Sequence, residues 1–280
     1  MVPQSGTGGG SEAPALAPAG ALPKDVKLGR YYAVVIGNNT YRDAGYAALK
    51  SAASDATAVS SVLEGRYGYQ TTVLLNASRL EILSALNDAR EKMGANDNVL
   101  IYYAGHGARL KSGSMESGYW LPVNADAPPE DRFWVPNEQI TGHLGRLAAK
   151  RVLVVADSCY SGLLSTDPSY LFLNDKVSYS KEYIKFKLPK RSRLLLSSGG
   201  DKPVLDEGRG GNSVFARAFL DELEANQGIL SSPELFNRIR KRVEVTAAKN
   251  KFVQAPEFKS IKGAGHEVGD FFFVPRQKSG

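Results

Sequence analysis

NVLIYYAGHG at residues 98–107 and RVLVVADSCYSG at residues 151–162 share one design, a continuous apolar run that ends abruptly in small and polar residues. A run of that kind, bounded by turn signals, predicts a strand buried on both faces. Working outward, YYAVVIG at residues 31–37, stopped by Gly37-Asn38-Asn39, predicts a third such strand, and residues 193–198 a fourth. Residues 71–75 read as a shorter one. Helical patterns fall between them. One covers residues 49–63 with Val59, Val62 and Leu63 on one face. The next opens with a capping box, Ser78 and Glu81, and carries the stripe Leu80, Leu83, Leu86. Further helices are expected near residues 137–147, 213–224 and 232–248. Residues 108–127, rich in turn residues and aromatics, predict a hairpin excursion, residues 163–190 an exposed loop, and DFFFV at 270–274 a closing strand. Strands alternating with helices predict an α/β fold, a mainly parallel sheet sandwiched between helices. Such sheets bind ligands at the carboxyl ends of their strands. His106 and Cys159 both stand just past such an end.

The composition, 280 residues of which 42% are hydrophobic and 23% charged, suits one large domain. No apolar run approaches the roughly 18 residues that a membrane helix needs, so no membrane contact is expected. The opening MVPQSGTGGGSEAPALAPAG lacks the basic and apolar regions of a signal peptide. Residues 1–27 read as a disordered Gly/Ala/Pro linker, which suggests fusion to, or association with, further domains. With one cysteine and no signal peptide, a cytoplasmic location is favoured for the chain as given. The net charge is +6 and the pI about 9.2. The basic clusters at residues 181–193 and 238–251 read mainly as solvated faces. No recognition motif accompanies them, so nucleic acid is not an expected partner.

A lone cysteine excludes an internal disulfide and a multi-cysteine zinc site, and nothing points to a bound metal or cofactor. Cysteine is most often an inert core residue, so Cys159 needs a reason to be reactive. A thiol becomes a nucleophile beside a base, and imidazole is the natural one. Of three histidines, His143 lies within a helix and His266 in a Gly-rich segment; only His106 sits at a strand end, between glycines. Acyl transfer also needs donors where an oxyanion forms, and the N–H groups of Gly107 and Cys159 are the candidates.

The motifs YYAGHG (residues 102–107) and DSCYSG (157–162) resemble the histidine and cysteine motifs of caspase-like cysteine peptidases, in the metacaspase, paracaspase and bacterial orthocaspase branches. The separation, 159 − 106 = 53, agrees with a histidine about 50 residues upstream of the cysteine. VIGNNTY (35–41), SSGGDKPVLDE (197–207) and NSVFARAFL (212–220) are also similar to the family. The resemblance implies a caspase-hemoglobinase-like fold over residues 28–275. Residues 28–162 would be the large-subunit-like part, 163–192 the inter-subunit-like loop and 193–275 the small-subunit-like part, with 276–280 a tail. It implies a Cys-His dyad of Cys159 and His106. True caspases carry Gln-Ala before the cysteine and cleave after Asp. Here Asp157-Ser158 precedes it, and Asp55, in SAASDATAV, matches the second acidic pocket residue of metacaspases and paracaspases. Two carboxylates favour Arg or Lys before the scissile bond in a protein or peptide substrate. Asp206 is a candidate third charge.

The inter-subunit-like loop is often cut in this family, and Lys181, Lys185, Lys187, Lys190 and Arg191 are candidate autocleavage sites. Calcium activates some metacaspases, but Asp167 and Asp175 lack ligand-like spacing. The competing readings are a catalytically silent caspase-fold scaffold or signalling module, and a self-cleaving or ligating peptidase of the legumain or gingipain kind.

Overall fold

Tyr31–Gly37 forms strand β1, buried at every position after the first. Its Val-Val-Ile run is stiff at χ1 and suits a strand covered on both sides. The computed structural model describes residues 27–159, 161–165, 181–199, 209–261 and 263–276. After β1 come helix α1 (Ala52–Val62), continued by a π turn at Leu63–Tyr67, strand β2 (Gln70–Leu75), helix α2 (Arg79–Lys92) and strand β3 (Asn98–Ala104). Strands β4 (Gly107–Ser112) and β5 (Met115–Trp120) form the expected hairpin, joined by β6 (Val135–Pro136) in a small separate sheet. Helix α3 (Asn137–Arg146), strand β7 (Arg151–Asp157), helix α4 (Lys181–Lys187) and strand β8 (Ser192–Ser197) follow. The chain goes on through α5 (Val214–Ala225), β9 (Leu230–Ser231), α6 (Ser232–Lys249), β10 (Glu257–Ser260) and β11 (Phe272–Phe273).

The main sheet has the order β10-β8-β7-β3-β1-β2. All its pairings are parallel except β10 on β8. Alternate residues of each strand feed two cores. Ala33, Val35, Leu100 and Tyr102 pack towards α1, α5 and α6; Val34, Ile36, Ile101 and Tyr103 pack towards α2 and α3. This is the expected mainly parallel sheet between helices. Among the described residues, no helix is long and apolar enough to cross a membrane.

Several expectations need correction. The buried face of α2 is Ile82, Ala85, Leu86 and Ala89, while Leu80 is 77% exposed. The capping box at Ser78 is present and puts Leu80 in the first turn, on the outer side. Strand β2 is not apolar on both faces: it ends the sheet, and Val73 and Leu75 are exposed. Residues 163–190 are not simply a loop, because Lys181–Lys187 is helical, and its Ile184 together with Leu188 just after it is buried against Ile229 and Phe272. A helix this short shows too little periodicity to be read, and is held by packing rather than propensity. DFFFV supplies only Phe272–Phe273, which pairs with β9 outside the main sheet. The antiparallel edge is instead β10, which was not anticipated.

Two arginines near the starts of core strands, Arg151 and Arg193, are buried, the second within a cluster expected to be a solvated face. The Arg193 guanidinium donates to the carbonyls of Leu144, Leu147, Lys150 and Ser192 at 2.9–3.1 Å, closing the C-terminal end of α3. A cation there complements the helix dipole. Burial pulls it down to about 10, so it remains charged at neutral pH. Arg151 likewise donates to Asn98 and to the carbonyls of Leu188 and Asn96.

Candidate active site

The site begins with a register. Strands β3 and β7 pair in parallel from Asn98↔Arg151 to Ala104↔Asp157. His106 and Cys159 each lie two residues beyond that last pair, so their separation equals the register offset, 151 − 98 = 53. Neighbouring strands run about 4.8 Å apart, so the two side chains emerge next to each other at the carboxyl edge of the sheet. Both line a cleft of about 130 Å³, together with Asp55, Asp157, Ser51 and Ser213. Cys159 is half-buried.

Strand β3 ends at Ala104, and the chain turns through Gly105 into the hairpin. A β carbon on Gly107 would lie 2.1 Å from the carbonyl oxygen of Cys159. The glycine is therefore required by a close approach within the protein itself, a reason the sequence reading did not contain. Leu121 N–H donates to His106 O at 3.0 Å, which makes Gly107 and Trp120 a non-hydrogen-bonded pair of the β4–β5 ladder. The Gly107 N–H is thus turned away from β5.

His106 is fixed by the loop that follows β1. Its N–H donates to the Tyr41 hydroxyl at 2.7 Å, and that hydroxyl donates to Asn38 O at 3.3 Å. Its carbonyl accepts from the Tyr103 hydroxyl at 2.7 Å. Nε2 of the ring is 2.7 Å from Ala47 O. A carbonyl only accepts, so Nε2 carries the proton and Nδ1 of the neutral ring keeps its lone pair. The rings of Tyr41 and Tyr46 stand 4.8 and 6.0 Å from the imidazole. Ala47, Tyr41 and Tyr46 were not anticipated as site residues. Tyr41 lies in the segment VIGNNTY already singled out; a backbone carbonyl leaves no sequence signal at all.

Asp55 and Asp157 are both buried, and both line the cleft. Asp55 accepts from the Ser51 hydroxyl at 2.9 Å, from Asn212 Nδ2 at 2.7 Å and from Ser213 N–H at 3.2 and 3.3 Å. Asp157 accepts from the Ser213 hydroxyl. That hydroxyl also caps α5 by accepting from Ala216 N–H at 2.8 Å. Beneath them, burial first and then the charges of Asp55 and Asp157 push the Tyr102 hydroxyl well above its ordinary range. The arrangement can offer a thiol beside a base, with a negatively charged recess next to both.

Asp206, Asp167 and Asp175 lie outside the described residues. Lys181, Lys185 and Lys187 are on α4, away from the cleft lining. The Lys190 ammonium sits 3.6 Å over the Phe186 ring, and Arg191 N–H donates to Glu267 at 2.9 Å. Among the described residues, no group of three or more His, Cys, Asp or Glu is placed to hold a metal ion.

A family model described as the caspase domain matches residues 30–263. No curated protein matches the sequence. Among solved structures, that of a Geobacter sulfurreducens protein, determined as a structural-genomics target, superposes with a TM-score of 0.61 at 20% identity, over 89% of this chain and 100% of that one. At that identity the likeness concerns the fold.

Proposed function

This chain belongs to the caspase-domain family, and from that premise we propose that it is a cysteine endopeptidase cleaving protein or peptide chains after arginine or lysine. Members of the family are generally cysteine peptidases. The observation that carries the reading is the shared offset of His106 and Cys159 past the Ala104↔Asp157 pair, which brings a thiol and an imidazole together at the ligand-binding edge of the sheet.

In the mechanism, Nδ1 of His106 takes the thiol proton and the Cys159 thiolate attacks the scissile carbonyl. The N–H groups of Gly107 and Cys159 face the resulting oxyanion. The imidazolium, oriented by Ala47 O, then gives its proton to the departing amine. Water, deprotonated by the same imidazole, releases the acid from the thioester and restores the thiol. Asp157, with Asp55 behind it, receives the guanidinium or ammonium group of the residue before the cut.

An arginyl chloromethyl ketone tests this directly. It should alkylate the wild-type protein at Cys159 and leave Cys159→Ala unlabelled, whereas the aspartyl analogue should not react. Reaction with the aspartyl compound instead would overturn the specificity. Reaction with neither, while iodoacetamide still modifies Cys159, would overturn the peptidase reading.

A further inference from the structure

Two carboxylates that share a small cleft repel each other, and each is free to turn away unless something holds it. Three chain segments far apart in sequence meet to hold this pair: Asp55 near the start of α1, Asp157 at the end of β7, and Asn212-Ser213 at the start of α5. Ser213 is the residue common to both carboxylates. Its backbone N–H donates to both oxygens of Asp55, and its hydroxyl donates to Oδ2 of Asp157. Asn212 adds a further donor to Asp55. The α5 N-terminus, with its partial positive charge, lies against the pair and offsets part of the repulsion.

We propose that Ser213 is a specificity-determining positioning residue, which holds Asp157 beside Asp55 so that the recess is preorganised for a cationic side chain. The proposal rests on the acidic-pocket reading above and extends it to a residue outside the dyad and the carboxylates. A helix cap alone does not require serine. Aspartate would cap α5 but repel Asp157, and glycine would cap it without reaching Asp157. Serine satisfies the helix with its lone pair and the carboxylate with its proton.

Glycine therefore separates the two roles, because glycine in place of a capping serine costs a helix little. The test measures binding by calorimetry to the Cys159→Ala protein, where the pocket works without chemistry. The probes are an acetylated tetrapeptide ending in arginine amide and its citrulline counterpart, which keeps the shape and loses the charge. The parent should prefer the arginine peptide. Adding Ser213→Gly should cut that preference by about tenfold, the scale of one hydrogen bond to a charged group. Binding of the citrulline peptide and the melting temperature should hardly change.

An arginine preference equal in both proteins overturns the proposal. So does a parallel loss of both peptides with thermal stability, the mark of a purely structural cap. A parent without any preference for arginine overturns the pocket reading and this inference together. Failure of the wild-type protein to hydrolyse basic peptides, with the binding results intact, overturns only the peptidase reading.

Discussion

Cys159 and His106 emerge from the ends of neighbouring strands, and neither side chain is part of either hydrophobic core. Their removal should therefore affect chemistry without unfolding the protein. We expect Cys159→Ala to abolish peptide hydrolysis, and His106→Ala to lower it by roughly 10²–10⁴-fold, the usual range for a general base. Thermal melts of both should match the wild type, and near-normal turnover in either would sink the assignment. Asp157 is a different case, because it is buried and takes a hydrogen bond from Ser213. Asp157→Asn keeps its shape and removes the charge. It should lower kcat/KM on arginine substrates by about ten- to a hundredfold, the cost of roughly 1.5–3 kcal/mol for a hydrogen bond to a charged group. Efficient cleavage after aspartate by the wild-type protein would contradict the pocket.

At the scale of the element, α4 changes how self-processing has to be understood. Lys181, Lys185 and Lys187 are helical, and Ile184 and Leu188 tie that helix to Ile229 and Phe272. A peptidase cleft accepts an extended segment, so cleavage there requires α4 to unwind first. We propose that autocleavage within residues 181–193, in trans, is limited by this opening. Ile184→Ala removes the central anchor, at a cost of about 2–5 kcal/mol for a buried isoleucine. It should speed cleavage at these lysines while kcat/KM on short peptides stays unchanged. Mass spectrometry of new N-termini, against a Cys159→Ala control, gives the rates. Unaltered cleavage at the same lysines would show that α4 is no gate, and an intact active protein would exclude self-processing.

For the whole molecule, Asp270 ties distant parts together and makes stability depend on pH. It is buried beside the start of α6, and accepts from the Ser232 hydroxyl, from Tyr183 on α4 and from Phe271 N–H. Burial outweighs these donors and the nearby Lys187, and pushes its carboxyl from 3.8 up to about 6. The folded protein thus holds the proton more tightly than the unfolded chain. Its stabilising contribution is complete below the unfolded value and is lost as pH rises through about 6. The shift corresponds to roughly 3 kcal/mol at about 1.4 kcal/mol per pH unit. Asp270→Asn should flatten this slope. Urea unfolding at about pH 4 and about pH 7 should show the variant gaining on the wild type at the higher value, and parallel pH profiles would refute the assignment.

The large features of the architecture were legible because buried strands announce themselves as apolar runs, as in NVLIYY and RVLVVA. Strand β10 was not, since EFKS buries little but Phe258 and Ser260 and pairs only because β8 offers it an edge. His106 and Cys159 were legible as residue types at strand ends. Ser213 was not, because its contacts span 56 and 158 residues and exist only once the sheet and α5 have been assembled.

The close approach of Gly107 to the Cys159 carbonyl separates what the site needs as a backbone from what it needs as side chains. That carbonyl belongs to the backbone and survives any change of the cysteine side chain. Exchanging the sulfur or the imidazole leaves this contact in place, whereas a β carbon at residue 107 would collide with it. Gly107 accordingly belongs to the backbone frame on which the site is built, and a side chain there would push the Cys159 carbonyl aside whatever residue stood at 159.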